Sequence, residues 1–250
     1  MSKLKINVDW LDNLIPEGIS LNTSTLITGP GGTGKPLVEF AFVAAWLKEG
    51  GALISIPLQY PKAELMITAM QKLYNIDLND YSDKIVFIQF EPTISNYNIL
   101  NDNILQANLV KPEVWNDTVK VAENMLTKNE KGIMVFGSAL NLLLFSDKYS
   151  KATLSNLEDI IEKDKSKTYT FAVSTSAYEK EIKILEDKAD NLMFTRMVEP
   201  LRLFLRIVRM KDALFSGEEI EVPISEEMLM EIKKIAESTR KRKIKEIKNI

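Results

Sequence analysis

The stretch Ser24-Thr25-Leu26-Ile27-Thr28-Gly29-Pro30-Gly31-Gly32-Thr33-Gly34-Lys35-Pro36 decides how this chain is read. A short apolar, β-branched run ends at Gly29, and the pattern G-x-x-x-x-G-K closes on Lys35 as a helical pattern begins. Glycines let a backbone curl until several N–H groups face one anion, and the helix N-terminus adds partial positive charge. The expected phosphate-binding residues are therefore Gly29, Pro30, Gly31, Gly32, Thr33, Gly34, Lys35, Pro36 and Leu37, with Lys35 reaching the outer phosphates.

The eighth position of the pattern changes the chemistry. It normally holds Ser or Thr, whose hydroxyl binds magnesium; here it is Pro36. Proline suits a first helical turn, where N–H groups have no intrahelical partner. In this loop those same orphan donors serve the phosphate. Pro36 thus removes a metal ligand and one backbone donor, a loss of roughly 1.5–3 kcal/mol, or about 10- to 100-fold in affinity. Phosphate binding survives such a loss more readily than magnesium positioning does.

Outward from the loop, Lys35 to Lys48 reads as a helix apolar on most of its surface, ended by Gly50-Gly51 and followed by the apolar run Ala52–Ile56. This β-loop-α-β unit implies parallel strands, and the pattern recurs. Pro61 opens a helix to about Leu73, with a strand at Lys84–Phe90. A helix from about Pro112 to Lys128 leads to a strand at Gly132–Gly137, and helical sequence at Thr153–Lys163 precedes a strand at Tyr169–Ser174. Asn191–Val198 and Arg202–Met210, joined by Glu199-Pro200, suggest an antiparallel hairpin. Ser225 caps a final helix with Glu226 and Glu227 in its first turn. Glu91 to Val110 has no clear period. The expected fold is α/β, a mostly parallel central sheet with flanking helices. The expected organisation is a nucleotide-binding domain over residues 1–224 and a basic amphipathic helix over 225–250.

Composition narrows the chemistry. The chain has no cysteine and no histidine, which removes disulfides, thiol nucleophiles, Cys/His zinc sites and His-based triads. A length of 250 residues suits one α/β domain. The N-terminus lacks the apolar core of a signal peptide, and Ile133 to Phe145 is too short and too polar to span a bilayer, so a soluble, cytoplasmic protein is expected. The net charge of −3 hides an asymmetry: Lys233 to Ile250 carries +6, leaving −9 on the rest. From Ser225 to Ile250, Met228, Ile232, Ile235, Ala236 and Thr239 recur at helical spacing. Three readings stand for it: a packed helix with an exposed basic end, a surface for nucleic-acid phosphates, or a contact for a partner protein or anionic membrane. The cluster Arg240-Lys241-Arg242-Lys243 has no aromatic neighbour on which bases could stack.

The loop and its surroundings resemble the KaiC branch of the RecA superfamily, which includes archaeal KaiC-like and RadA-like ATPase domains. Val8-Asp9-Trp10-Leu11-Asp12-Asn13-Leu14-Ile15-Pro16-Glu17-Gly18 is similar to the family's lead-in, and Arg206-Ile207-Val208-Arg209-Met210-Lys211 to its strand ending in Lys-Met-Arg with the basic types exchanged. The similarity spans roughly Ile6 to Val222. It implies a RecA-like fold, ATP or ADP as ligand, and self-association or assembly with a RecA-type paralogue. It also implies that Arg209 and Lys211 reach a neighbour's phosphates across an interface, although a solvated sheet edge accounts equally well for that pair.

Three departures from the family point one way. Leu58 and Gln59 stand where the family has two glutamates, Gly137 where its Walker B strand has aspartate, and Pro36 where its loop has Ser or Thr. No catalytic residue and no metal ligand is assigned, and magnesium binding is expected to be weak or absent. Glu39 and Glu64 could stand in for the lost carboxylates, but both are read as solvated helix residues. The leading expectation is a nucleotide-binding protein with little or no hydrolysis, regulatory or a non-catalytic subunit of a RecA-type assembly. The alternatives are an interaction scaffold that has lost nucleotide binding and contacts nucleic acid or a partner through its basic tail, and a slow ATPase completed by a neighbouring subunit.

Overall fold

The computed structural model describes residues 2–59, 63–127 and 130–250, without the side chain of Ile232. Pro61 and Lys128, read above as the start of one helix and the end of another, lie outside the described residues.

In chain order the elements are β1 (Lys3–Leu4), α1 (Asp9–Asp12), β2 (Ile19–Ser20), β3 (Ser24–Thr28), α2 (Lys35–Lys48), β4 (Ala52–Pro57), α3 (Ala63–Tyr74), β5 (Ile85–Phe90), β6 (Tyr97–Asn101) and β7 (Ile104–Ala107). There follow α4 (Pro112–Met125), β8 (Ile133–Ser138), α5 (Ser150–Lys163), β9 (Thr168–Ala172), α6 (Glu179–Lys188), β10 (Asn191–Val198), β11 (Arg202–Arg209), β12 (Glu219–Glu221) and α7 (Glu226–Ile247). Strands β10, β3, β9, β8, β4, β5 and β7 lie side by side and parallel. Antiparallel strands close both edges, β11 and β12 beyond β10 and β6 beyond β7. The hairpin expected around Glu199-Pro200 is present as β10–β11. In the aperiodic stretch, Tyr97–Asn101 and Ile104–Ala107 form a second hairpin on the opposite edge.

Period-two alternation along the strands divides the core between the two sheet faces. Ile27, Leu53, Phe87, Phe136 and Met193 face α2 and the N-terminal segment, while Leu26, Ile54, Val86, Val135 and Leu192 face the other way. Both faces being covered explains why the central strands read as near-continuous apolar runs. Helix α2 lies deepest, with every residue from Lys35 to Leu47 buried. Its sequence is apolar all round, the composition of a helix enclosed on every side.

At the chain's end, Ser225 caps α7 by accepting from Met228 N at 3.3 Å, as the sequence predicts. The helix crosses the carboxyl end of the sheet. Leu229 is buried against Gly34, Ile247 is fully buried in the second core, and Lys243 is anchored between Glu91 (3.3 Å) and Glu246 (3.1 Å). Among the described residues no helix is long and apolar enough to cross a membrane.

Candidate functional site

The carboxyl end of β3 runs into the glycine loop. Gly29 has φ +138, and a Cβ there would lie 2.1 Å from the Thr195 carbonyl oxygen, so no other residue fits beneath β10. Gly34 holds the left-handed conformation (φ +69) that starts α2. Thr33 Oγ1 donates to the Pro30 carbonyl (3.1 Å) and meets Thr195 Oγ1 (2.9 Å), which in turn donates to the Thr28 carbonyl (3.2 Å). Strand β10 thereby braces the loop from below. Gly31 N–H donates to Ser176 Oγ at 2.9 Å.

Lys35 is 6% exposed, and its ammonium donates to the carbonyls of Gly29 (3.0 Å) and Pro30 (2.6 Å) and to Thr33 Oγ1 (3.1 Å). Burial pulls its pKa down to about 7, and the charge of Glu39 one helical turn on resists that shift. Glu39 is fully buried, and neither carboxylate oxygen has a hydrogen-bond partner among the described residues. The reading of Glu39 as a solvated carboxylate is therefore corrected. Burial raises its pKa well above the usual carboxylate value, with Lys35 opposing. Glu64 lies in the exposed first turn of α3, as a solvated carboxylate would.

Gly31 to Pro36 line a cleft shared with Gln59 after β4, Asn141 and Leu142 after β8, and Ser174 after β9. Gly29 and Pro30 lend it the carbonyls that hold Lys35, whereas the Leu37 side chain belongs to the core and its N–H donates to the Gly34 carbonyl (2.9 Å). Pro36 is buried in the first turn of α2. Parallel α/β sheets bind ligands at this edge, outside the carboxyl ends of the strands.

Two of the positions that depart from the resemblance, Gly137 and Leu58, are enclosed by apolar side chains. A Cβ on Gly137 would stand 2.9 Å from Phe171 Cδ1 and 3.1 Å from Leu140 Cδ2, leaving no room for any side chain. Leu58 is 2% exposed and joins the second core cluster. Gln59, by contrast, reaches the cleft. Among the described residues no cluster of three or more Asp, Glu, His or Cys could hold a metal ion.

Arg209 and Lys211 lie at the far end of the sheet from the loop, since Arg209 is paired with Leu192 at the start of β10. Both reach the turn after α6. Arg209 donates to the carbonyls of Glu186 and Ala189, and Lys211 pairs with Asp190 at 2.9 Å. Sequence reasoning missed the contribution of α7: Leu229, Lys233, Ala236, Glu237 and Arg240 close the cleft from above. Their spacing of four, three and four from Leu229 through Lys233 and Ala236 to Arg240 marks one helix face, a signal obscured by the adjoining apolar stripe.

The fold is thus an α/β one, a mostly parallel sheet with a glycine loop at its carboxyl edge, and its likeness is to KaiC-like structures. Among solved structures it is similar to a KaiC-like protein from the hyperthermophilic archaeon Pyrococcus horikoshii, with a TM-score of 0.62 and 16% sequence identity over 90% of this chain and 95% of that one. No protein-family model matches the sequence, and no curated protein matches it.

Proposed function

We propose that this chain is a nucleotide-binding protein that hydrolyses its ligand little or not at all. ATP or ADP is the ligand, bound on Gly29–Pro36 through Lys35, and magnesium is held weakly or not at all. One observation carries the reading: the glycine pattern and its lysine are retained, while Gly137 leaves no space for a carboxylate against Phe171. Phosphoryl transfer depends on metal ions and oriented charge, so a site that keeps its anion cradle and has packed over its metal-supporting position favours binding over turnover. A regulatory or non-catalytic role in a RecA-type assembly, with itself or a paralogue as partner, goes with this reading; the KaiC-like fold supports its nucleotide-binding part. Arg209 and Lys211, held to the turn after α6 within the chain, would have to exchange those contacts to meet a neighbour.

Calorimetry with ATP, ADP and GTP, with and without magnesium, tests the reading beside a phosphate-release assay. Wild-type protein binds at least one nucleotide, Lys35→Ala weakens it about 100-fold or more, and phosphate release stays at background. Magnesium-dependent turnover abolished by Lys35→Ala overturns the claim of weak or absent hydrolysis. Absence of binding by every nucleotide turns the choice to an interaction scaffold.

A further inference from the structure

Two cations of α7 stand over the phosphate loop. Arg240 Nη1 comes within 3.7 Å of where a Cβ on Gly31 would lie, and Lys233 Cε within 3.8 Å of the corresponding point on Gly32. Neither makes a hydrogen bond or ion pair among the described residues. The other basic residues flanking this face are engaged differently: Lys243 is tied to Glu91 and Glu246, and Arg242 lies 3.7 Å from Glu246.

The helix is fixed at both ends of this face, by Leu229 against Gly34 and by Lys243 and Ile247 beyond Arg240. Lys233 and Arg240 are seven residues apart, two turns on one face, with the small Ala236 between them. Small size at that position leaves open the space between the two cations and the loop. Among the described residues the cleft's charged lining comprises Lys35, Lys233 and Arg240 against the one acid Glu237, a balance that favours an anion.

We infer that α7 supplies, within the same chain, the positive charge that magnesium brings to ordinary phosphate-loop sites, Lys233 and Arg240 clasping the outer phosphates of a metal-free nucleoside di- or triphosphate. The inference rests on the nucleotide reading above and adds the residues that make it independent of metal. An unmetallated polyphosphate is more anionic than its magnesium complex and better matches a cleft lined by Lys233 and Arg240, with Lys35 charged once the phosphate is bound. Arg240 offers a planar fork for two phosphate oxygens, and Lys233 a point charge on a flexible stem. Glu237 lies between them in sequence and opposes the ligand.

The test is calorimetry on the full chain with ATP and with inorganic tripolyphosphate, in EDTA and in excess magnesium. Wild type binds in EDTA at least as tightly as with magnesium. Lys233→Gln and Arg240→Gln each weaken binding about tenfold, the double variant about 100-fold, and Lys233→Arg retains most of the affinity. Glu237→Gln tightens binding a few-fold, which checks the charge balance without removing a cation. Binding that requires magnesium overturns the inference, as does a double variant, folded by circular dichroism, that binds as well as wild type. Tighter binding by the double variant overturns it too and marks α7 as a plug over the loop. If Lys35→Ala abolishes binding while the α7 variants leave it unchanged, the nucleotide reading stands and this inference falls. If wild type binds neither ligand, both fall.

Discussion

Two halves of one sheet edge have been treated differently in this chain. The loop after β3 presents three glycines at positive φ, a buried lysine and a threonine pair that braces it. The ends of β4 and β8 are packed with hydrocarbon, with Leu58 in the core and Phe171 filling the space beside Gly137. The first half works through backbone N–H groups and one side chain, so it persists as long as the loop conformation does. In ordinary phosphate-loop enzymes the second half depends on individual side chains, and in this chain apolar side chains fill it. The contrast separates anion binding from phosphoryl transfer in physical terms: conformation specifies the one and side-chain identity the other.

The sharpest way to break the contrast is to restore the carboxylate. Gly137→Asp places a charged side chain within 3 Å of the Phe171 ring in a buried strand. Overpacking and an unpaired buried charge together destabilise by roughly 3–5 kcal/mol, a fall of about 6–20 °C in unfolding temperature for a domain of this size. Thermal unfolding measures it. A variant as stable as wild type that also gains magnesium-dependent phosphate release would mean the second half is merely substituted and not rebuilt.

The loop half offers a test through its proton. With a pKa near 7, Lys35 is largely neutral at pH 8 in the free protein. A polyphosphate favours the ammonium, so binding at pH 8 takes up close to one proton, about 1 per nucleotide, and at pH 6 almost none. Titration calorimetry in buffers of differing ionisation enthalpy reads the number directly. Zero uptake at pH 8 would show that Lys35 is already charged before the ligand arrives.

Much of the loop half was legible in sequence because its signals are local. Gly34 and Gly50-Gly51 punctuate α2, and its boundaries at Lys35 and Lys48 follow. The parallel core strands show as apolar runs bounded by turns, and the β10–β11 hairpin as two β-rich runs about Glu199-Pro200. The β6–β7 hairpin escaped because Tyr97–Asn101 is an edge strand whose side chains are mostly solvated, which erases the alternation that identifies strands. Helix α6, with seven charged residues among the ten from Glu179 to Lys188, was hidden by its polarity. The position of Lys233 and Arg240 over the loop was not readable at all, because it depends on where Leu229 docks some 200 residues away in sequence. Glu39 was misread for the opposite reason. The pair Lys35 and Glu39 looks like a surface i,i+4 pair, yet the surrounding Phe40-Ala41-Phe42-Val43-Ala44-Ala45-Trp46-Leu47 describes a helix covered on all sides.

That buried carboxylate gives the smallest effect and the finest test of the loop half. Glu39 keeps its proton in the folded state well above the pH at which the unfolded chain releases it. Over that window the folded state binds more protons, so its stability falls as pH rises from about 4.5, by at most about 1.4 kcal/mol per pH unit. Lys35 acts in the other sense and in a higher window. Its lowered pKa lets stability recover between about 7 and the ordinary lysine value near 10.4. Between pH 5 and 6 Glu39 therefore acts nearly alone, and the Lys35 contribution, common to both proteins, cancels in the comparison of wild type with Glu39→Gln up to pH 7. Glu39→Gln removes the titration, and its stability relative to wild type should rise across that interval by about 1 kcal/mol or more. Urea unfolding of both proteins at pH 5, 6 and 7 checks the trend. A gap that stays constant with pH would mean that Glu39 is ionised in the folded protein, and that the core beneath the loop tolerates a charged pair with Lys35 where the structure leaves both carboxylate oxygens unpartnered.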